Sequence, residues 1–153
     1  MPVTNVTSRW ESGALDVQNT SGESVLTLAG ELVTMGKGLL LTPYAATATS
    51  DGLTTGTIPT GASFVSVTSA SANNIIVLPA PTPGTVVLLH VGANGFELRS
   101  SAPATVAING GTGANAESAI PANTLVFMVC TTATTWQGWD LTAATLAGVE
   151  AAA

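Results

Sequence analysis

Short apolar runs set between turn clusters dominate the chain. Leu15 and Val17 alternate with Asp16 and Gln18. The cluster Asn19-Thr20-Ser21-Gly22-Glu23 follows, then Val25, Leu26 and Leu28, with Gly30 ending the run. Two apolar runs about a glycine-containing turn predict a β-hairpin. Trp10 stands just upstream of it, and Leu39-Leu40-Leu41 follows the break at Met35-Gly36-Lys37-Gly38 as a short apolar strand. An isolated hairpin is marginal in water, so this one needs something to pack on. Residues 43–56 carry no periodicity and are mostly small and polar, which predicts a linker or extended arm.

Beyond the linker the pattern is again one of strands. Phe64, Val65 and Val67 lie in a Ser/Thr-rich run, and Ile75 to Leu78 form a continuous apolar run. Pro79-Ala80-Pro81-Thr82-Pro83-Gly84 makes a rigid turn before Val86–Val91, the strongest strand signal. Phe96 and Leu98, Thr105–Ile108, Leu125–Cys130 and Trp136–Leu141 continue the series. Strands every 8 to 12 residues predict an all-β fold, an antiparallel β-sandwich or small barrel of Greek-key or tulip-like form. The expected organisation is an N-terminal hairpin arm over 1–42, a linker over 43–56, a β-sandwich domain over 57–142 and an Ala-rich tail over 143–153. The tail reads as helical or frayed, since so short a stretch is marginal as an isolated helix. Ile58-Pro59 before Val65 and Val67 is echoed by Ile120-Pro121 before Phe127 and Val129 at the same offset.

Composition removes several functions. Only 12 of 153 residues, 8%, are Asp, Glu, Lys or Arg, and the net charge is −6. Three cations, Arg9, Lys37 and Arg99, are too few for a nucleic-acid footprint. No apolar run approaches the roughly 18 residues of a membrane-spanning helix. Too few charges exist for coiled-coil flanks. Met1-Pro2-Val3-Thr4 has neither the basic nor the apolar region of a secretory leader, so Asn5-Val6-Thr7 and Asn19-Thr20-Ser21 are read as chance matches to the glycosylation pattern. The single cysteine, Cys130, precludes an internal disulfide and a multi-cysteine metal site.

The remaining candidate chemistry is sparse. Gly111-Thr112-Gly113-Ala114-Asn115-Ala116 matches the dinucleotide pattern literally. That pattern needs a following helix, and Glu117-Ser118-Ala119-Ile120-Pro121 cannot supply one. His90 is the sole histidine and falls on the strand face opposite Leu89 and Val91, without a carboxylate at catalytic spacing. Cys130 reads as a buried thiol. Trp136 and Trp139, three apart on a strand, must point to opposite faces, one into a core and one outward for a glycan or interface contact. No catalytic residue, cofactor site or metal site emerges, and the chain is expected not to be an enzyme.

Arg9-Trp10-Glu11-Ser12-Gly13-Ala14-Leu15-Asp16-Val17 and Thr20-Ser21-Gly22-Glu23-Ser24-Val25-Leu26 resemble the opening hairpin of tailed-bacteriophage head decoration and head-fibre proteins. Val77-Leu78-Pro79, Pro83-Gly84-Thr85-Val86-Val87, Ile108-Asn109-Gly110-Gly111 and the Trp136 strand resemble their β-rich outer domain. The resemblance implies a non-enzymatic cement protein, trimeric, on the outer surface of the virion capsid and bound to the major capsid protein. It implies that Trp10, Leu15, Val17, Val25 and Leu26 lie in the capsid-facing part. The alternative expectation is a fibre or receptor-binding module that grips host glycans through Trp136 or Trp139. Low charge fits either, because charged residues are depleted in interface cores.

Overall fold

The structure is a computed structural model that describes Thr7–Glu11, Ala14–Gln18, Ser24–Ala29, Leu32–Thr34, 41–142 and 147–153. The chain divides into two compact units, Met1–Leu40 and Leu41–Ala153. The first is a four-stranded antiparallel meander of β1 (Thr7–Glu11), β2 (Ala14–Gln18), β3 (Ser24–Ala29) and β4 (Leu32–Thr34). The predicted hairpin is the β2–β3 pair, with Val17 opposite Leu26. Its turn, 19–23, and residues 39–40 of the expected leucine strand lie outside the described residues. Leu41 itself is not in a strand.

The second unit is all-β, with two mixed sheets. Its strands are β5 (Pro43–Thr47), β6 (Phe64–Thr68), β7 (Ile75–Val77), β8 (Val86–Val91), β9 (Phe96–Arg99), β10 (Ala107–Ile108), β11 (Glu117–Ile120), β12 (Leu125–Thr132), β13 (Thr135–Asp140) and β14 (Ala147–Gly148). The long sheet runs β10-β13-β12-β8-β6-β5, with β14 also on β13, and the small sheet runs β11-β9-β7. The strand pattern predicts antiparallel pairing throughout. Instead β5–β6, β6–β8, β7–β9 and β10–β13 are parallel. Parallel neighbours need crossovers of a dozen or more residues, and here the chain visits the other sheet between them. Ala45, Ser66 and His90 stand side by side in the long sheet, 21 and then 24 residues apart. Thr57, Val77 and Arg99 do so in the small sheet, 20 and then 22 apart. Strand pattern alone cannot distinguish this winding from a run of hairpins.

The predicted linker is therefore part of the sheet. Pro43–Thr47 pairs along its whole length with β6, Ala46 and Ala48 are buried, and Thr54–Gly56 forms a 3-10 turn. Its small residues are not a sign of solvation. The echo of Ile58-Pro59 and Ile120-Pro121 is not a repeat either: Val65 and Val67 point into the core, whereas Phe127 and Val129 point out of it.

Alternation along each strand puts one face of both sheets into a single core. Val65, Leu89 and Val126 form one buried cross-strand row, and Ala46, Val67 and Val91 another, facing Ile76, Leu98 and Phe96 of the small sheet. Fully burying each large apolar side chain is worth about 1.5–3 kcal/mol.

The tail closes the seam between the sheets rather than fraying or forming a helix. Residues 143–146 lie outside the described residues. Beyond them Val149 N–H donates to Gly138 O at 3.0 Å, Ala152 N–H to Ile108 O at 3.2 Å, and Ala153 N–H to Glu117 O at 3.2 Å. Gly111 makes this possible, because a Cβ there would overlap the Ala152 backbone. Asn109, at φ +49°, clamps the seam. Its Oδ1 accepts from Gly138 N–H at 2.8 Å, and its Nδ2 donates to Gly138 O at 3.1 Å and Val149 O at 2.5 Å. Asparagine tolerates the left-handed backbone better than most residues. Removing these bonds by Asn109→Ala is expected to cost about 1–3 kcal/mol. An unshifted urea midpoint would show that the clamp contributes nothing.

Candidate functional site

The candidate residues of the first unit occupy three strands. Trp10 of β1 pairs with Leu15 of β2, which pairs with Leu28 of β3, and Leu28 with Val33 of β4. Val17 pairs with Ser8 on one side and Leu26 on the other. Val25 sits at an irregularity, where the register shifts between Val17 and Gln18.

In the second unit the tryptophans separate as alternation requires. Trp136 is fully buried, and its indole N–H has no partner. Trp139 is half-buried on the outer face, with its ring 6.0 Å from that of Phe127 and tilted by 35°. The pair Trp136/Trp139 therefore cannot act as one platform. The register extends this outer row instead: Pro43, Phe64, Leu88, Phe127 and Trp139 stand side by side across five strands. Val86 and Val129 pair in a parallel row, also half-buried. Every outward position of β5, β6, β8, β12 and β13 lacks Asp, Glu, Lys and Arg. Residue-by-residue reading picked out Trp139 but missed Phe64, Leu88 and Phe127, because the row exists only once the register is known.

His90 is exposed on this face and borders a cavity of about 280 Å³ with Val91, Gly92, Asn123, Thr124, Leu125 and Thr142. Its lining holds no carboxylate or thiol to pair with the imidazole. Cys130 is buried and donates its S–H to Thr132 O at 3.0 Å. Burial pushes its thiol pKa up, which disfavours the reactive thiolate. The glycine-rich segment 111–116 leads into β11 rather than a helix, so it has no helix N-terminus for a pyrophosphate. Among the described residues no group of three or more His, Cys, Asp or Glu could hold a metal ion, and no helix is long and apolar enough to cross a membrane.

The charged strand residues of the second unit, apart from Asp140 at the end of β13, gather on the other sheet. Arg99 of β9 pairs with Glu117 across β9–β11, and Glu97 stands opposite Ala119 in the same ladder. Partial burial, then the charges of Glu117 and Glu150, raise the Glu97 carboxyl above its ordinary value. Asp51 moves the other way, held down by the Leu53 backbone N–H and the Thr49 hydroxyl. The raised Glu97 has a definite sign in stability. The unfolded chain ionises it at about pH 4.3, before the folded chain does, so the group destabilises the fold at neutral pH. Glu97→Gln should raise the melting temperature at pH 7, and the gain should shrink as the pH falls toward 4. Identical melting curves for the two proteins at pH 7 would refute this.

Comparison with known protein families, curated proteins and solved structures finds no match to this chain.

Proposed function

We propose that the chain is a structural virion protein: a trimeric decoration, or cement, protein. It binds the outer surface of a tailed-phage capsid and stabilises contacts between major capsid proteins. The division at Leu40 and Leu41 carries this reading. A four-stranded antiparallel sheet in a unit of forty residues is too small to be an efficient independent fold. A β domain follows it whose seam is closed by its own C-terminal residues. This is the organisation a cement protein needs, with one part to grip the shell and one to stand on it. On this reading Trp10, Leu15, Val17, Val25 and Leu26 face the major capsid protein. The two sheets of the second unit act as a stacked sandwich that meets its copies. Low charge and the lack of a catalytic constellation among the described residues fit a protein that works by contact.

The half-buried Phe127–Trp139 pair supports a second reading, a fibre or receptor-binding module for host glycans. Aromatic faces can stack on sugar rings, but here Trp139 rather than Trp136 would do so.

The test is co-sedimentation with capsids assembled from the major capsid protein of the same phage. The full chain should bind at saturating stoichiometry, and deletion of residues 1–40 should abolish binding while far-UV circular dichroism still reports a folded β domain. The cut belongs before Leu41 because Thr42 O accepts the backbone N–H groups of Ser63 and Phe64. A truncation that binds as tightly as the full chain would refute the division of labour. Absence of capsid binding, with a glycan-array signal lost in Trp139→Ala, would establish the second reading instead.

A further inference from the structure

Among the described residues of 41–153, nothing in the sheet order covers the outer face of the long sheet. Wholly parallel sheets are ordinarily covered on both faces, and β5, β6 and β8 form a parallel run within this mixed sheet. Their inner face packs on the small sheet through the shared core. No described strand of 41–153 lies over their outer face. That face instead presents Phe64, Leu88, Phe127 and Trp139 in one row, with Val86 and Val129 beside them, all half-buried.

Charge selects the occupant. The chain carries a net charge of −6, so two copies repel over most of their surface. Glu97 and Glu117 lie on the small sheet, and Glu150 beside it, where the Ser118 hydroxyl donates to Glu150 O at 2.7 Å. The outward positions of β5, β6, β8, β12 and β13 hold none of the carboxylates, and His90 is the one titratable group among them. A strongly charged partner would find no counter-ion there. A second copy brings the same neutral, apolar surface, and this is where two acidic chains can approach at least electrostatic cost. Five strands about 4.8 Å apart, each about six residues long at 3.3 Å per residue, offer a footprint of roughly 500 Å². Three such faces turned toward a common three-fold axis bury roughly 1,500 Å² together, within the range of a specific interface.

We propose that this outer face, centred on Leu88 and Phe127, is the contact through which copies of the chain associate. The proposal rests on the reading of the chain as part of a homo-oligomer and assigns that contact to one sheet face.

Sedimentation velocity on the full chain tests it, from one to one hundred micromolar, with three variants. Phe127→Asp places a charge in the centre of the row. Ser66→Asp places one at an exposed position on the same face that loses no packing. Ala119→Lys, exposed on the small sheet and opposite Glu97, is the control. The wild type and Ala119→Lys should sediment as a multiple of the 15.2 kDa chain. Both aspartate variants should dissociate to single chains or weaken association at least tenfold. A wild type that stays a single chain throughout overturns the proposal, as does wild-type association in Ser66→Asp and in folded Phe127→Asp. Capsid binding by the same samples separates the two questions. A single-chain wild type that binds capsids less tightly once Phe127→Asp is introduced would assign the face to the capsid, leaving the cement reading standing while ending the copy–copy assignment.

Discussion

The pleat of the long sheet governs the second unit. Val65, Leu89 and Val126 align in one buried row, and the neighbouring Phe64, Leu88 and Phe127 align in the row that points away. A slip of one residue would exchange the two rows and expose the core. Register is therefore strongly specified. Everything else follows from it: the face that meets the small sheet, the face that stays uncharged, and the separation of Trp136 from Trp139.

The same constraint explains the chain's unusual composition. Winding between two sheets brings strands together from positions 20 to 24 residues apart. Ala46 and Ala48 are buried in the core on and just after β5. Hydroxyl side chains serve the turns, as where Thr49 and Asp51 hold the loop before the 3-10 turn. Thr and Ser solvate the outer surface without adding charge. A chain built this way keeps the outward row of its long sheet uncharged, with Asp140 at the end of β13 as the one carboxylate in that sheet's strands.

Much of the fold was legible in the sequence. The runs Phe64–Val67, Ile75–Leu78, Val86–Val91, Phe96–Leu98, Leu125–Cys130 and Trp136–Leu141 all contain strands. Alternation placed His90 outward and gave Trp136 and Trp139 opposite faces. Thr7–Glu11 and Leu32–Thr34 of the first unit escaped reading, and in the second unit those that escaped have little apolar pattern. Pro43–Thr47 carries Ala and Thr, Glu117–Ile120 is short and mixed, and Ala147–Gly148 is two residues long. These gain stability from partners distant in the chain, and local propensity does not record such partners.

The sequence by itself determined that the chain is β-built and poor in charge, because alternation and composition are local properties. Tertiary structure decided which strands are parallel, that the apparent linker is a sheet edge, and that the alanine-rich tail locks against Gly111 and Asn109. It also decided that Phe64, Leu88, Phe127 and Trp139 form one surface. Those facts depend on register between segments far apart in the chain, and only the packed core sets that register.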